Sequence, residues 1–235
     1  ALLAHPQQRG ARVALEHVLL PDALRALTDA HGLVWKIDGD RLSFEAASEI
    51  SPAALAAFRL ASARRALREA VLAHPGHPLT PAAYLELGNL DMDEDKPAEA
   101  IGWYNRLTGE TPRSPVSAEA YYNLGLTLRR LGRVIAAREA FYRVIDTKPG
   151  HELALMSYLA LGQMYLEQDL PAQAVPLLRR ALQGASGSAV HPAATIALAA
   201  AHLLAGDPGA TTGVIKEQRQ RVLEEPYRKT AIFLD

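Results

Sequence analysis

No cysteine occurs anywhere in the 235-residue sequence. That absence excludes disulfides, zinc–thiolate sites and cysteine nucleophiles, and it leaves the redox compartment open. Neither sign of charge is in excess, with 25 Lys and Arg against 26 Asp and Glu and a formal net charge of -1. A general nucleic-acid binder needs a basic excess or a basic stripe, so no nucleic-acid partner is expected. No block of like charges forms a solvating tail. The longest apolar stretch, Thr195 to Ala205, is interrupted by His202 and is too short to span a bilayer, so no membrane insertion is expected. No charged segment followed by an apolar one opens the chain, and no signal peptide is expected. Tyr227 to Asp235 reads as the first turns of a new helix, with Ala231, Ile232 and Leu234 apolar, as in a chain trimmed within a repeat.

What is present is repetition. Leu87-Gly88, Leu124-Gly125 and Leu161-Gly162 recur at a spacing of 37, and one step further stands Leu198-Ala199. A small-residue row runs in the same register through Ala100, Ala137, Ala174 and Thr211, and a bulky row through Tyr104, Phe141, Leu178 and Ile215. Pro97, Pro171 and Pro208 mark helix starts, with Val134 in the remaining place, and Pro75, Pro112 and Pro149 mark helix ends. Proline at a first helical turn surrenders an N–H that had no partner, and proline after a helix prevents its continuation. Each unit is therefore expected to be two antiparallel helices. Small residues would lie where the backbones approach, and bulky ones would fill the space between neighbours. One such unit cannot bury its own apolar face, so stability must come from stacking.

The helix pairs predicted are 81–91 with 97–109, 116–131 with 134–147, 151–168 with 171–183, and 191–205 with 208–224. A longer helix over 52–73 precedes them. Its Ala63, Leu67, Ala70 and Pro75 lie one period before Ala100, Tyr104, Leu107 and Pro112, which marks it as an N-terminal half-repeat or cap.

Tyr121, Leu124-Gly125, Ala137, Phe141 and Pro149 resemble the tetratricopeptide pattern of aromatic, Leu-Gly, Ala, aromatic and Pro. The usual period of that family is about 34, and the extra residues here fall between units, around Arg113-Ser114-Pro115 and Gly150-His151-Glu152. Units lengthened in this way are similar to those of tetratricopeptide proteins of the bacterial cell envelope. The resemblance implies a mainly α fold, a right-handed solenoid of helix pairs over residues 49–235. It also points to the bacterial periplasm or envelope in preference to the cytoplasm.

The first 48 residues stand outside the repeat. Val13 to Val18 reads as extended, Pro21-Asp22 opens a helix that His31-Gly32 stops, and Leu33 to Ile37 alternates in and out. Asp38-Gly39-Asp40 signals a tight turn, and Arg41 to Glu45 returns as a partner strand. A small β-α-β-β unit is expected. The spacing of Leu15, Val18, Leu20, Ala23, Leu24 and Leu27, followed by Gly32-Leu33-x-Trp35 and Gly39-Asp40-x-Leu42-x-Phe44, is similar to half of the short secretin/TonB N-terminal domain. The matching positions are core positions, and no binding residue follows from them.

Few residues invite a chemical reading. His74-Pro75-Gly76-His77 places two imidazoles together, but no third ligand is nearby, so an inter-helix turn is the plainer reading. Asp91-x-Asp93-x-Asp95 resembles the start of a calcium loop, yet Lys96 stands where such loops need Gly and Gly102 where they need a bidentate Glu. Gly184-Ala185-Ser186-Gly187-Ser188 lacks the second Gly of a nucleophile elbow and does not follow a strand. No phosphate-binding glycine pattern occurs, and the eight His have no evident acid–base partner. No metal, cofactor or catalytic residue is expected.

By resemblance, the first helix of each pair lines a concave groove. Its residues here are Leu85, Asn89 and Met92, then Tyr122, Asn123, Leu126 and Arg129, then Met156, Leu159, Gln163 and Leu166, and finally Ile196, Ala200 and Leu203. Some of these would instead pack helix against helix. Apolar, Met and Tyr side chains together suit an amphipathic or extended peptide segment. Asn89 and Asn123 match the two Asn of tetratricopeptide modules that clamp a C-terminal carboxylate, but Leu85, Met156 and Ala160 occupy the basic positions of that clamp. Arg129, Arg130 and Arg133 could attract an acidic partner or simply solvate a turn. The expectation is a non-catalytic adaptor for a protein or peptide. The alternatives are an assembly arm that self-associates, or part of an enzyme whose catalytic domain lies outside this sequence.

Overall fold

The computed structural model describes residues 32–38, 41–185 and 188–224. The chain divides between Ala66 and Leu67 into two compact units. In the first, β1 (Leu33–Asp38) and β2 (Arg41–Ala46) pair antiparallel, with Leu33 opposite Ala46 and Trp35 opposite Phe44. This register puts the two aromatic residues directly across from each other, where cross-strand side chains interact best. Trp35 meets Phe58 edge-on at 6.1 Å, and the Arg65 guanidinium lies 4.8 Å over its ring. A short 3-10 turn, Ala47–Glu49, follows the hairpin. The strand expected at 13–18, the helix from Pro21, and the C-terminal helix at 227–235 lie outside the described residues.

Helix α1 spans Pro52–Ala73. In the second unit, α2 (Thr80–Asp93), α3 (Pro97–Glu110), α4 (Ser117–Arg130), α5 (Val134–Thr147), α6 (Glu152–Glu167), α7 (Pro171–Gly184), α8 (Val190–Leu204) and α9 (Pro208–Glu224) follow in order. Each helix packs on the next, and the first helices of successive pairs also touch: α2 with α4, α4 with α6, and α6 with α8. This is the helix-pair solenoid expected from the repeat, with a small strand pair before it.

The Leu-Gly rows show their purpose in the packing of each pair. A Cβ on Gly88 would lie 2.3 Å from the Tyr104 ring, one on Gly125 2.7 Å from the Phe141 ring, and one on Gly162 2.4 Å from Leu178. Tyr104, Phe141 and Leu178 are all fully buried. The bulky row breaks at its last member. Ile215 was expected beside them and is instead 55% exposed. At the matching position, 199, Ala replaces Gly. A methyl therefore stands where the other pairs leave the bulky side chain room. The Thr211 hydroxyl lies 3.1 Å from the Asp207 carbonyl of its own helix and 3.2 Å from the Ala199 carbonyl across the pair.

The turns inside the pairs also keep the period. Asp95, Gly132, Asp169 and Gly206 all have φ between 58° and 79°. At each turn the next N–H reaches back to a carbonyl five residues earlier: Lys96 to Asp91, Arg133 to Leu128, Leu170 to Tyr165 and Asp207 to His202. This Schellman geometry satisfies carbonyls that the helix end leaves open. It also explains Asp91-x-Asp93-x-Asp95. Asp91 is buried, Asp93 is exposed, and Asp95 turns left-handed and pairs with Arg130. The three carboxylates diverge.

Another row braces the turn that leads into each first helix, and at His151 it is the helix N-cap itself. His77 Nδ1 accepts from the Leu79 N–H at 3.2 Å, Ser114 Oγ from Val116 at 3.5 Å, His151 Nδ1 from Leu153 at 3.2 Å, and Ser188 Oγ from Val190 at 3.2 Å. His77 thus braces an inter-helix turn.

The close approach and the turns predict the sign of three substitutions. Gly125→Ala should destabilise the fold, because forcing Phe141 aside costs about 1–3 kcal/mol and outweighs the helix preference for Ala. Gly102→Ala, exposed in α3 with nothing within 4 Å of its added Cβ, should instead stabilise by about 0.5–1 kcal/mol. Chemical denaturation followed by circular dichroism compares the two signs. By the same measurement, Asp169→Gly should raise stability by about 0.5–1 kcal/mol, since only Gly adopts this backbone freely.

Candidate functional site

The face made by the first helices is held together by polar contacts between neighbouring units. Asn89 Oδ1 accepts from the Tyr104 hydroxyl and from Asn123 Nδ2, both at 2.9 Å. Both lone pairs of that oxygen are engaged. Burial pushes the Tyr104 phenol well above its ordinary pKa, so it stays the donor. The Thr127 hydroxyl lies 2.7 Å from the Asn123 carbonyl and 3.3 Å from Met92 Sδ. One helix further, Arg129 donates to Gln163 Oε1 at 3.4 Å and to Glu167. Arg130 donates to Asp95.

These contacts sort the expected groove residues. Leu85 is buried in the core. Asn89, Asn123, Arg129 and Gln163 spend polar atoms on one another or on Tyr104 and Glu167. Asn89 and Asn123 are bound up with each other and lack the cations of a carboxylate clamp. Met92 and Tyr122 pack partly against the core shared by α2 to α6, with the Tyr122 ring 5.8 Å from Phe141. Burial raises the Tyr122 phenol above its usual pKa, against a smaller pull downward from Arg129. Met156, Leu159 and Leu166 are half-buried against the core of α7 and α8. Leu126 is 40% exposed, Ile196 70% and Leu203 60%. Of the three arginines proposed to attract acid, Arg129 and Arg130 already hold carboxylates of neighbouring units. The Arg130–Asp95 pair is largely solvated, where an ion pair adds little.

One feature escaped the sequence reading. Ile135, Arg138, Glu139, Tyr142, Arg143 and Asp146 of α5, with Tyr165 of α6, line an open cleft of about 490 Å³. Ile135 is 77% and Tyr142 41% exposed, and the Arg138 guanidinium lies 5.3 Å over the Tyr165 ring. Burial first, and then the adjacent Tyr165, raises the Tyr142 phenol above its ordinary range. The signal was in the rows. Where other units carry Ala98, Ala172 and Gly209, this one carries Ile135, and where they carry Asn105, Arg179 and Lys216 it carries Tyr142. At the near end of the unit, Trp103 stacks on Tyr84 at 6.0 Å, and its indole N–H donates to the buried Asp91 Oδ2 at 2.8 Å.

With this geometry established, comparison with known proteins decides the family. Two tetratricopeptide repeat profiles match without a gap between them, one over residues 49–115 and the other over 116–186. The chain belongs to the tetratricopeptide repeat family. A search of the curated proteins finds no match. Among solved structures, the array is similar to the MamA protein, with 22% identity, a TM-score of 0.59, and coverage of 75% of this chain and 88% of that one. It is also similar to BtubC (BKLC) from P. vanneervenii, with 20% identity, a TM-score of 0.61, and coverage of 74% and 80%. A tetratricopeptide repeat protein from Parabacteroides merdae gives 17% identity, a TM-score of 0.56, and coverage of 71% and 61%. At such identities the likeness is one of fold. Tetratricopeptide arrays are in general interaction modules, and the coarse function of this one is that of a protein–protein interaction scaffold.

The shared Asn89 acceptor yields a direct test. Asn89→Ala should cost about 1–3 kcal/mol, because it strands the Tyr104 hydroxyl and the Asn123 amide. Adding Tyr104→Phe should recover part of that loss, since one donor then no longer needs a partner. A double-mutant cycle in denaturant measures the coupling.

Proposed function

We propose that this scaffold binds a segment of a partner protein across the first-helix face of its middle units. The observation that carries the reading is the apolar surface left on α4 and α6. Leu126 is 40% exposed there and is flanked by the half-buried Tyr122, Met156, Leu159 and Leu166. Positions on the other side of the same helices, Leu124 and Leu161, are core. An amphipathic helix or an extended strand with apolar anchors meets such a surface by burying those anchors, and its backbone or polar edge can reach the surrounding polar groups. The Arg129–Glu167 and Arg130–Asp95 pairs border this surface and offer charges of both signs, so the partner segment should carry no large net charge. Binding energy in such an interface concentrates in a few central apolar and aromatic contacts, which makes Tyr122 and Leu126 the residues to change.

The test is affinity capture with the 235-residue chain as bait, followed by titration of any captured protein. Tyr122→Ala with Leu126→Asp should weaken binding at least about tenfold, a loss of about 1.4 kcal/mol. Ile135→Asp with Tyr142→Ala should leave it unchanged. Circular dichroism checks that both variants stay helical. The opposite pattern, loss only with the second pair, would move the docking site to the α5–α6 cleft and overturn the groove reading.

A further inference from the structure

One face of α5 departs from the rest of its rows. Ile135 stands where the second helices of the other pairs carry Ala98, Ala172 and Gly209, and Glu139 where they carry Gly102, Pro176 and Gly213. Tyr142 stands where they carry Asn105, Arg179 and Lys216. Steps of four and then three residues put 135, 139 and 142 on one side of the helix. Ile135 is 77% and Tyr142 41% exposed, and Glu139 and Arg143 beside them are exposed as well. A single apolar side chain in water is ordinary. Here the helix that gains two bulky side chains also gains a carboxylate where its siblings have glycine or proline, and that combination suits an occupant.

The charges on this face identify the occupant. Arg138 is committed to its own chain, with its guanidinium 5.3 Å over the Tyr165 ring. Glu139 and Arg143 lie one turn apart on the same flank, and neither forms an ion pair among the described residues. An acidic or a basic segment would satisfy one of them and repel the other. A second copy of the same helix satisfies both. When two copies pack antiparallel about a twofold axis, each flank meets the same flank of the other copy, because the surface is self-complementary. Glu139 of one copy then faces Arg143 of the other, and the reverse, so two residues supply two ion pairs. The axis falls midway between them, level with Phe141. At a rise of 1.5 Å per residue, the two Tyr142 side chains then stand about 3 Å apart along the helix direction, which suits offset ring stacking. A formal net charge of -1 leaves little overall repulsion between copies.

We propose that this face of α5 is a self-association surface, on which a second copy of the chain packs antiparallel and pairs Glu139 with Arg143 across a twofold axis. Ile135 and Tyr142 are the apolar side chains that the contact covers. One helix face is smaller than the ~1,600 Å² of a standard interface, so the dimer is weak and forms only as concentration rises. None of the residues proposed to meet a partner segment on the first-helix face takes part. Self-association and partner binding therefore stand or fall separately.

Sedimentation equilibrium of the 235-residue chain over a range of concentrations is the test. The unaltered chain should pass from monomer to dimer. Glu139→Arg and Arg143→Glu, made singly, each set like charges against each other twice across the axis. Each should raise the dissociation constant at least about tenfold. An equimolar mixture of the two variants should recover the dimer, since every reversed charge then meets its opposite on the other chain. Ile135→Asp with Tyr142→Ala should also leave a monomer, and circular dichroism checks that all variants stay helical. A chain that remains monomeric up to about 1 mM overturns the proposal, whether or not a different protein binds α5. So does a dimer that survives both charge reversals, or one that both abolish and mixing does not restore. Loss of the dimer with Tyr122→Ala and Leu126→Asp, but not with Ile135→Asp and Tyr142→Ala, would move the contact to the first-helix face and overturn it as well.

Discussion

The closeness of the two helices in each pair is the constraint on which the rest of the array depends. At Gly88, Gly125 and Gly162 no Cβ could be accommodated without moving a fully buried side chain. Tyr104, Phe141 and Leu178 occupy the volume that the missing methyl frees, and each is part of the buried core. Once a pair is this tight, its turn must be short and sharp, which is why positions 95, 132, 169 and 206 all take the left-handed backbone. The first helices then come side by side, and their polar side chains meet across units. Asn89 can serve Tyr104 from its own pair and Asn123 from the next only because both helices arrive at fixed distances.

The last pair shows what happens when the constraint is relaxed. With Ala199 in place of glycine, Ile215 lies mostly in water, and Thr211 stands half-buried where the other pairs have a fully buried alanine. The pair still forms, since α8 and α9 remain in contact, but its interior is thinner. Stability in stacked repeats is close to a sum of unit and interface terms. Opening of this array is therefore expected to begin at α9, where the bulky side chain of the lock is missing.

Most of the helical architecture was legible because its rows are chemically extreme. Glycine beside leucine, alanine against an aromatic, and proline at a first turn each have one good physical reason to recur. The turn chemistry was harder to read. Asp95 and Asp169 do the work of glycine, and His77 and His151 do the work of serine, so neither row is visible as one residue type. The binding face was the least legible part. A row of side chains on the first helices can either touch the neighbouring unit or remain open, and the sequence pattern is the same in both cases. Leu85 went to the core, Arg129 to Glu167, and Leu126 to the surface. The α5–α6 cleft could have been found by asking which unit departs from its own row, as Ile135 and Tyr142 do.

The caps and turns, taken together, carry a longer rhythm. A unit that starts on a histidine and turns on an aspartate, His77 with Asp95, is followed by one that starts on a serine and turns on a glycine, Ser114 with Gly132. The sequence then returns to His151 with Asp169, and again to Ser188 with Gly206. In the chemistry of its joints the array is thus a doubled block of two unlike units, with like joints 74 residues apart. A block of that size could be gained or lost with every remaining joint still facing its accustomed neighbour. Gain or loss of one 37-residue unit would join like to like and break the alternation.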